Sequence, residues 1–289
     1  MAKLMTTKLT WLVLIGLCTQ ALAVDVVTRR SDGTAFRGKI TQATRESITL
    51  TRSGGQKEVF SVDDLKSVSF DGEPRQIAQA RTNERSGAID AAIATLTEVR
   101  RSGAASGKAV RAEVEFLLAR MKTRQALVDA EKVEDALAAT DAFRRANSNN
   151  FRYLEATLLQ ASLLSLKKDT DKARTLLQEV QTSTVKGFQL QAGVDMGRLM
   201  LNSGDPALAR AAFDDVISKA TDASAQWPFA LMLELVERCA VWPQKISMEP
   251  SPNWMRSSKT LPQQRPLCWQ MRGTEKAIAF GCRINTRRP

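Results

Sequence analysis

The chain has 289 residues, of which 43% are hydrophobic and 25% charged, so it has ample material for one to three globular domains. It contains no histidine, which excludes Ser–His–Asp and Cys–His catalysis as well as histidine-ligated metal sites. The net charge is +11, but residues 239–289 carry +7 and residues 24–238 only +2. A body so close to neutral gives no reason to expect nucleic-acid binding by it.

Residues 1–23 have the features of a secretory signal peptide. Lys3 and Lys8 precede an apolar run over 11–17, and the small residues Ala21 and Ala23 follow it. The run is shorter than the roughly 20 residues that span a bilayer, so we expect no transmembrane segment after cleavage. This predicts an exported protein in the periplasm, the cell envelope or the extracellular space.

Residues 24–74 are predicted to form five short strands. Asp32-Gly33 supplies a tight turn, and Ile48 and Leu50 alternate with polar residues as in a half-buried strand. The expected strands are Val24–Arg29, Ala35–Ala43, Ser47–Arg52, Glu58–Val62 and Ser67–Phe70. The segment resembles SH3-like and Sm-like small barrels, some of which bind RNA or proline-rich peptides. Because eight basic residues are matched by eight acidic ones, we expect a docking or capping module without a ligand of its own.

From residue 75 onward the sequence predicts helical hairpins that recur along the chain. Ala209, Phe213 and Val216 follow the turn at Pro206 as three apolar residues, and 36 residues earlier Ala173 stands in the same position relative to its own turn. Ala161 and Gly197 stand twelve residues before Ala173 and Ala209. Small residues at these positions let two antiparallel helices approach closely, so a series of hairpins is expected over 75–238.

The hairpins resemble the tetratricopeptide repeat (TPR), a helix–turn–helix unit of about 34 residues. The small residue of the first helix of each repeat corresponds to Ala80, Ala161 and Gly197. The alanine of the second helix and its bulky successor correspond to Ala92 and Leu96, Ala139 and Phe143, Ala173 and Leu177, and Ala209 and Phe213. The hairpin around 113–146 departs from the pattern, with Leu127 at a position where a small residue is expected. The predicted fold is therefore a multidomain α+β protein with a small five-stranded barrel-like module followed by an all-α TPR-like solenoid.

In the TPR family the first helices of the repeats form a concave face that binds a peptide or partner protein. Transferred by position, the resemblance implies candidate partner-binding residues on that face: Arg81, Arg85, Glu155, Ser162, Ser165, Gln191, Arg198 and Asn202. No residue pattern indicates a catalytic site, a cofactor or a metal in this body.

Residues 239–289 differ abruptly in composition from the helical body. They hold three of the four cysteines and six of the nine prolines. Cys239, Cys268 and Cys282 are candidate metal ligands, but their spacing matches no known ligand set. A basic interaction tail and a disordered or frame-shifted segment are the other two interpretations.

These observations predict an exported, non-catalytic scaffold that binds a protein or peptide. An alternative is an envelope enzyme or carbohydrate-processing factor with a carboxylate site between the two domains. Its adjacent acidic pairs, Asp63-Asp64 and Asp214-Asp215, should point in different directions, which disfavours an acid/base couple. A third alternative is binding of nucleic acid or an anionic surface through the basic tail.

Overall fold

The computed structural model describes residues 24–222, which form five strands and eight helices. The strands are β1 (Asp25–Arg29), β2 (Ala35–Ala43), β3 (Ser47–Thr51), β4 (Lys57–Ser61) and β5 (Leu65–Ser69). The helices are α1 (Arg75–Arg85), α2 (Ile89–Arg101), α3 (Lys108–Ala126), α4 (Val133–Ala146), α5 (Tyr153–Leu166), α6 (Thr170–Gln181), α7 (Lys186–Asn202) and α8 (Pro206–Asp222). The predicted signal peptide and the segment 239–289 lie outside the described residues, as does the stretch 223–238 of the predicted helical body.

The strands form one antiparallel sheet in the order β4-β3-β2-β1-β5. Five strands were predicted correctly, but the expected closed barrel is wrong because the sheet is open, with β4 and β5 at its two edges. A single 3₁₀ turn, Val62–Asp64, joins these edge strands. Two carbonyl groups of β5, those of Leu65 and Val68, accept hydrogen bonds from Arg30 and Arg81 instead of pairing with β4.

The sheet buries one face and exposes the other. Val27, Ile48, Leu50 and Val68 are completely buried, and their neighbours in sequence point outward. Gly38 lies where β2 approaches β3 most closely, since a Cβ atom there would stand 2.5 Å from the Thr51 carbonyl oxygen. This close contact requires glycine in the middle of β2.

Consecutive helices pack as hairpins, α1 with α2, α3 with α4, α5 with α6, and α7 with α8. In the last hairpin Gly193 faces Val216 and Gly197 faces Phe213, so the sequence runs in opposite directions along the two helices. Odd-numbered helices also contact one another, α3 with α5 and α5 with α7. We call the surface formed by α1, α3, α5 and α7 the odd-helix face.

The helices α2 and α6 each bury one apolar stripe with a spacing of four and then three residues. In α2 the stripe is Ala92, Leu96 and Val99; in α6 it is Ala173, Leu177 and Val180. In α4 the corresponding residues are Ala136, Thr140 and Phe143, whereas Ala139 is only half-buried. The position assigned to Ala139, 34 residues before Ala173, is therefore wrong by three residues, because the buried residues Ala136 and Ala173 are 37 residues apart.

The turn chemistry before α8 follows the prediction. Gly204 has the positive φ of 81° that suits a residue after a helix end, and the Asp205 carboxylate accepts a hydrogen bond from the Leu208 amide at 3.1 Å. Pro206 occupies the first helical position. Among the described helices, none combines the length and the apolar character that crossing a membrane requires.

Candidate functional site

A cleft of about 320 Å³ lies between the sheet and the odd-helix face. The 3₁₀ turn of the sheet forms one wall, and α5 and α7 form the other. The lining residues are Arg30, Val62, Asp63, Leu65, Arg152, Glu155, Leu158, Leu159, Ser162, Gly187, Phe188, Gln191 and Asp195. We call this site the interface cleft.

The sheet is held against α7 by a helix cap supplied from a distant part of the chain. The first turn of α7 has no side-chain cap of its own, because the residue before it is Val185. The Asp63 carboxylate fills this role and accepts a hydrogen bond from the Gly187 amide at 2.9 Å, across 124 residues of sequence. A carboxylate at this position is also favoured by the helix dipole. Asp63 therefore fixes one wall of the cleft relative to the other.

A second contact holds the turn between β2 and β3 against α5. The Arg45 guanidinium lies over the ring of Tyr153 at 3.9 Å and donates to the Ser148 carbonyl. The Tyr153 hydroxyl in turn donates to Glu179 at 2.8 Å. The sheet is thus anchored to the helices at two points, its 3₁₀ turn and the turn between β2 and β3.

The cleft has an apolar floor and a polar rim. Leu158 is buried, and Leu159 and Phe188 are half-buried beside it. Ser162 and Gln191 add hydrogen-bonding groups to the rim, as do charged side chains from both walls. A concave site with apolar lining and a few polar groups is the usual form of a ligand or peptide site.

Asp195 is the acidic side chain on α7 in this rim. It accepts two hydrogen bonds from the Gln191 amide, at 3.1 and 3.2 Å, and one from Arg198 at 3.0 Å. Burial raises the pKa of Asp195 above its ordinary value of 3.8, because desolvation outweighs the lowering by Gln191 and Arg198. A carboxyl with a raised pKa in a cleft is a typical feature of functional sites.

Next to the cleft, buried ion pairs connect α1, α3 and α5 on the odd-helix face. We call this set of ion pairs the Glu113 network. Glu113, on α3, is 2% exposed and bonds to Arg81 at 3.1 Å and to Arg152 at 3.1 and 3.2 Å. Arg81 also bonds to Glu73, and Arg152 bonds to Glu155 at 3.0 Å. Burial acts to raise the pKa of Glu113, but Arg152 and Arg81 outweigh it, so the pKa lies below its ordinary value. The same pairing raises the pKa of Arg152 against its desolvation.

The structure separates the residues predicted for partner binding into three groups. Glu155, Ser162 and Gln191 line the interface cleft, and Arg198 lies at its edge through its bond to Asp195. Arg81 belongs to the Glu113 network. The remaining three, Arg85, Ser165 and Asn202, lie outside the cleft lining; Arg85 and Asn202 are exposed.

Sequence reasoning missed several cleft residues, among them Arg30, Phe188 and Asp195. Asp195 could have been found, since Gln191, Asp195 and Arg198 share one side of a helix by their spacing. The adjacent acidic pairs diverge as predicted: Asp63 caps α7, whereas Asp64 accepts from the Ser31 amide and hydroxyl. Asp214 and Asp215 pair separately with Arg210 and Lys219. Within residues 24–222 no group of three or more acidic or cysteine side chains is arranged to hold a metal ion.

No protein-family model matches the sequence, and no curated protein matches it either. Among solved structures, the chain is similar to BtubC (BKLC) from P. vanneervenii, with a TM-score of 0.41 and 18% sequence identity. The similarity covers 53% of this chain and 65% of that one. The chain thus spans just under two thirds of the length of that structure.

Proposed function

We propose that the protein is an exported, non-catalytic interaction protein whose TPR-like helices bind an extended segment of a partner in the interface cleft. The observation that carries the proposal is the meeting of Glu155, Ser162 and Gln191 over the apolar floor of that cleft. These three residues come from the helix positions that bind partners in the TPR family. Apolar pockets fix alternate side chains of a bound peptide, and the polar rim supplies hydrogen bonds.

The sheet contributes the opposite wall of the cleft in this proposal and acts as a docking module. Asp63 and Arg45 bind it to α7 and α5, so that a partner segment meets a preformed cleft. Preformed sites lose less entropy on binding than sites that must be ordered first. Export is part of the same proposal and is supported by the signal-like sequence of residues 1–23.

The test uses two serines on one helix as site and control. Ser162 lines the cleft, whereas Ser165, almost one turn further along α5, does not, although both are half-buried. Peptides are selected from a displayed library on the whole chain, and their affinities are measured by fluorescence anisotropy. We expect Ser162→Trp to fill the cleft and weaken binding by about tenfold or more, the equivalent of ~1.4 kcal/mol.

Ser165→Trp should leave the affinity unchanged. Equal losses in the two variants, with unchanged thermal unfolding, would place the peptide outside the cleft. Retention of full affinity by Ser162→Trp would contradict the proposal. Cross-linking in the native envelope from a photoreactive residue at Phe188, compared with one at the exposed Lys132, then tests whether a natural partner occupies the same site.

A further inference from the structure

The balanced composition of the sheet region conceals an unequal distribution of charge between its two faces. On the inner side Arg29 pairs with Asp32 at 3.2 Å and lies 3.6 Å from Asp64. Arg52 pairs with Glu58 at 2.8 Å, and both arginines lie over the ring of Phe36. Most of the acidic side chains of the sheet are therefore neutralised on this side or bonded to backbone amides.

The opposite side of the sheet, which we call the outer face, carries cations without such partners. Arg37, Lys39 and Lys57 are all exposed, and none makes an ion pair with a residue of the described part of the chain. Arg37 and Lys39 alternate with the buried Phe36 and Gly38 on β2, so they project on the same side. The pairing register places Lys39, Thr51 and Lys57 in one row across three strands.

The three cations form a compact group. Residues two apart on a strand are separated by about 7 Å, and residues two strands apart by about 10 Å. The remaining acidic residues of the sheet region, Glu46 and Asp71, lie in the turn between β2 and β3 and after β5. The outer face thus presents a local positive potential.

Threonine hydroxyl groups lie beside these cations on the outer face, whereas the phenylalanine rings of the sheet lie on the inner side. Thr41 and Thr49 lie beside the Lys39 row, and threonine hydroxyls both donate and accept hydrogen bonds. Phe36 and Phe60 are buried on the inner side with their rings 4.9 Å apart. Among the described residues of the outer face, Val59 is the large apolar side chain that is strongly exposed.

We propose that the outer face binds an acidic polysaccharide through Arg37, Lys39 and Lys57. The cations bind the carboxylate or sulfate groups, and the threonine hydroxyls bind the sugar hydroxyls. The absence of an aromatic side chain on this face disfavours single-stranded nucleic acid, which is bound by base stacking. One exposed valine gives too little apolar area for insertion into a membrane surface. This site is separate from the interface cleft and does not depend on the function proposed for it.

The first experiment is lysine footprinting of the whole chain. The rate of acetylation at each lysine is measured by mass spectrometry with polygalacturonate, uncharged dextran, single-stranded oligothymidylate or phosphatidylglycerol vesicles. Lys132 and Lys186 serve as controls in the same sample, because they are exposed and make no ion pair with a described residue. We expect polygalacturonate to protect Lys39 and Lys57 selectively, and dextran to protect none of the four.

The second experiment compares two triple variants with equal changes of charge. Arg37→Gln, Lys39→Gln and Lys57→Gln together should weaken polygalacturonate binding by about tenfold or more, because three exposed ionic contacts are lost at once. Arg111→Gln, Lys132→Gln and Lys186→Gln together should have little effect. Both variants keep the basic segment 239–289, so its contribution cancels.

Three outcomes would overturn the proposal. The first is equal weakening in both triple variants, and the second is equal protection of all four lysines by polygalacturonate. The third is protection of Lys39 and Lys57 by oligothymidylate or vesicles without protection by polygalacturonate, which would assign the outer face to another class of ligand.

Discussion

Between α1 and α5 the polar side chains of the odd-helix face bond to one another, whereas between α5 and α7 they border the interface cleft. In the first region Glu113 is enclosed by two arginines and is 2% exposed. In the second, Ser162 and Gln191 remain half-buried beside an apolar floor. Polar residues of the odd-numbered helices thus form internal ion pairs at one end of the odd-helix face and border a cleft at the other.

The two regions also differ in what holds their helices together. Ion pairs connect α1, α3 and α5 through the Glu113 network, while α7 and α8 approach closely through Gly193 and Gly197. Substitutions should therefore act through charge in the first region and through volume in the second.

The largest effect is expected in the Glu113 network. Glu113→Gln keeps the shape of the side chain but leaves Arg81 and Arg152 without their shared buried carboxylate. Breaking a buried ion pair by removing one partner costs about 3–5 kcal/mol. We expect a loss of about 3 kcal/mol in the free energy of unfolding, measured by urea denaturation with circular dichroism.

The matched control for this prediction is Glu98→Gln on α2. Glu98 pairs with Arg101 on an exposed surface, at 2.9 Å, so its neutralisation should change the stability little. Similar losses in the two variants would show that the Glu113 network stabilises the fold no more than a surface pair does.

The next effect is one of volume between α7 and α8. A Cβ atom at Gly197 would stand 2.4 Å from the Phe213 ring, so Gly197→Val forces the two helices apart or displaces the ring. We expect a loss of about 2 kcal/mol, in the range for overpacked cores. Phe213→Leu should recover part of this loss in the Gly197→Val background, as measured by a double-mutant cycle. Additive losses would mean that the two residues do not share this contact.

The sequence could predict the structural features that depend on neighbouring residues. The turn Gly204-Asp205-Pro206 and the alternation of Ile48 and Leu50 each carry their own local signal, and both were predicted correctly. The position of Ala139 was predicted wrongly because a repeat spacing of 34 residues was assumed between two hairpins whose buried alanines, Ala136 and Ala173, are 37 residues apart.

The candidate site was harder to predict because its parts are far apart in the sequence. Glu113 lies 32 residues from Arg81 and 39 from Arg152, and Asp63 lies 124 residues from Gly187. No local pattern distinguishes an arginine that will be buried in an ion pair from one that will remain exposed. Family resemblance placed Glu155, Ser162 and Gln191 on one face, but it could not show that the sheet would form the opposite wall.

A smaller effect is expected at the cap that joins the sheet to α7. Asp63→Ala removes the acceptor for the Gly187 amide and should cost about 1 kcal/mol, as for other helix caps. Asp63→Asn should cost less, since the amide oxygen still accepts the bond and only the charge is lost. Hydrogen exchange at the Gly187 amide should accelerate in the order wild type, Asn variant, Ala variant. Exchange that is unchanged in the Ala variant would show that the cap is supplied by another group.

The last prediction distinguishes the two regions by the sign of their pH dependence. The pKa of Glu113 lies below its ordinary value of 4.5, so the folded state binds fewer protons there than the unfolded state. Its stabilising contribution is complete above pH 4.5 and is lost as the pH falls toward the folded pKa. Asp195 has the opposite sign, because burial raises its pKa above 3.8 and the folded state favours its protonated form.

Asp195 therefore lowers the free energy of unfolding as the pH rises through the window between 3.8 and its folded pKa. Relative to wild type, Asp195→Asn should gain stability across that window and then keep a constant difference at higher pH. Glu113→Gln should instead show a deficit that shrinks as the pH falls below 4.5. Urea denaturation between pH 3 and 7 measures both differences, and carbon-13 titration of the two carboxyl groups assigns them. If both differences change with the same sign, the cleft and the network impose the same electrostatic environment, and the division of the odd-helix face into a closed and an open region has no electrostatic basis.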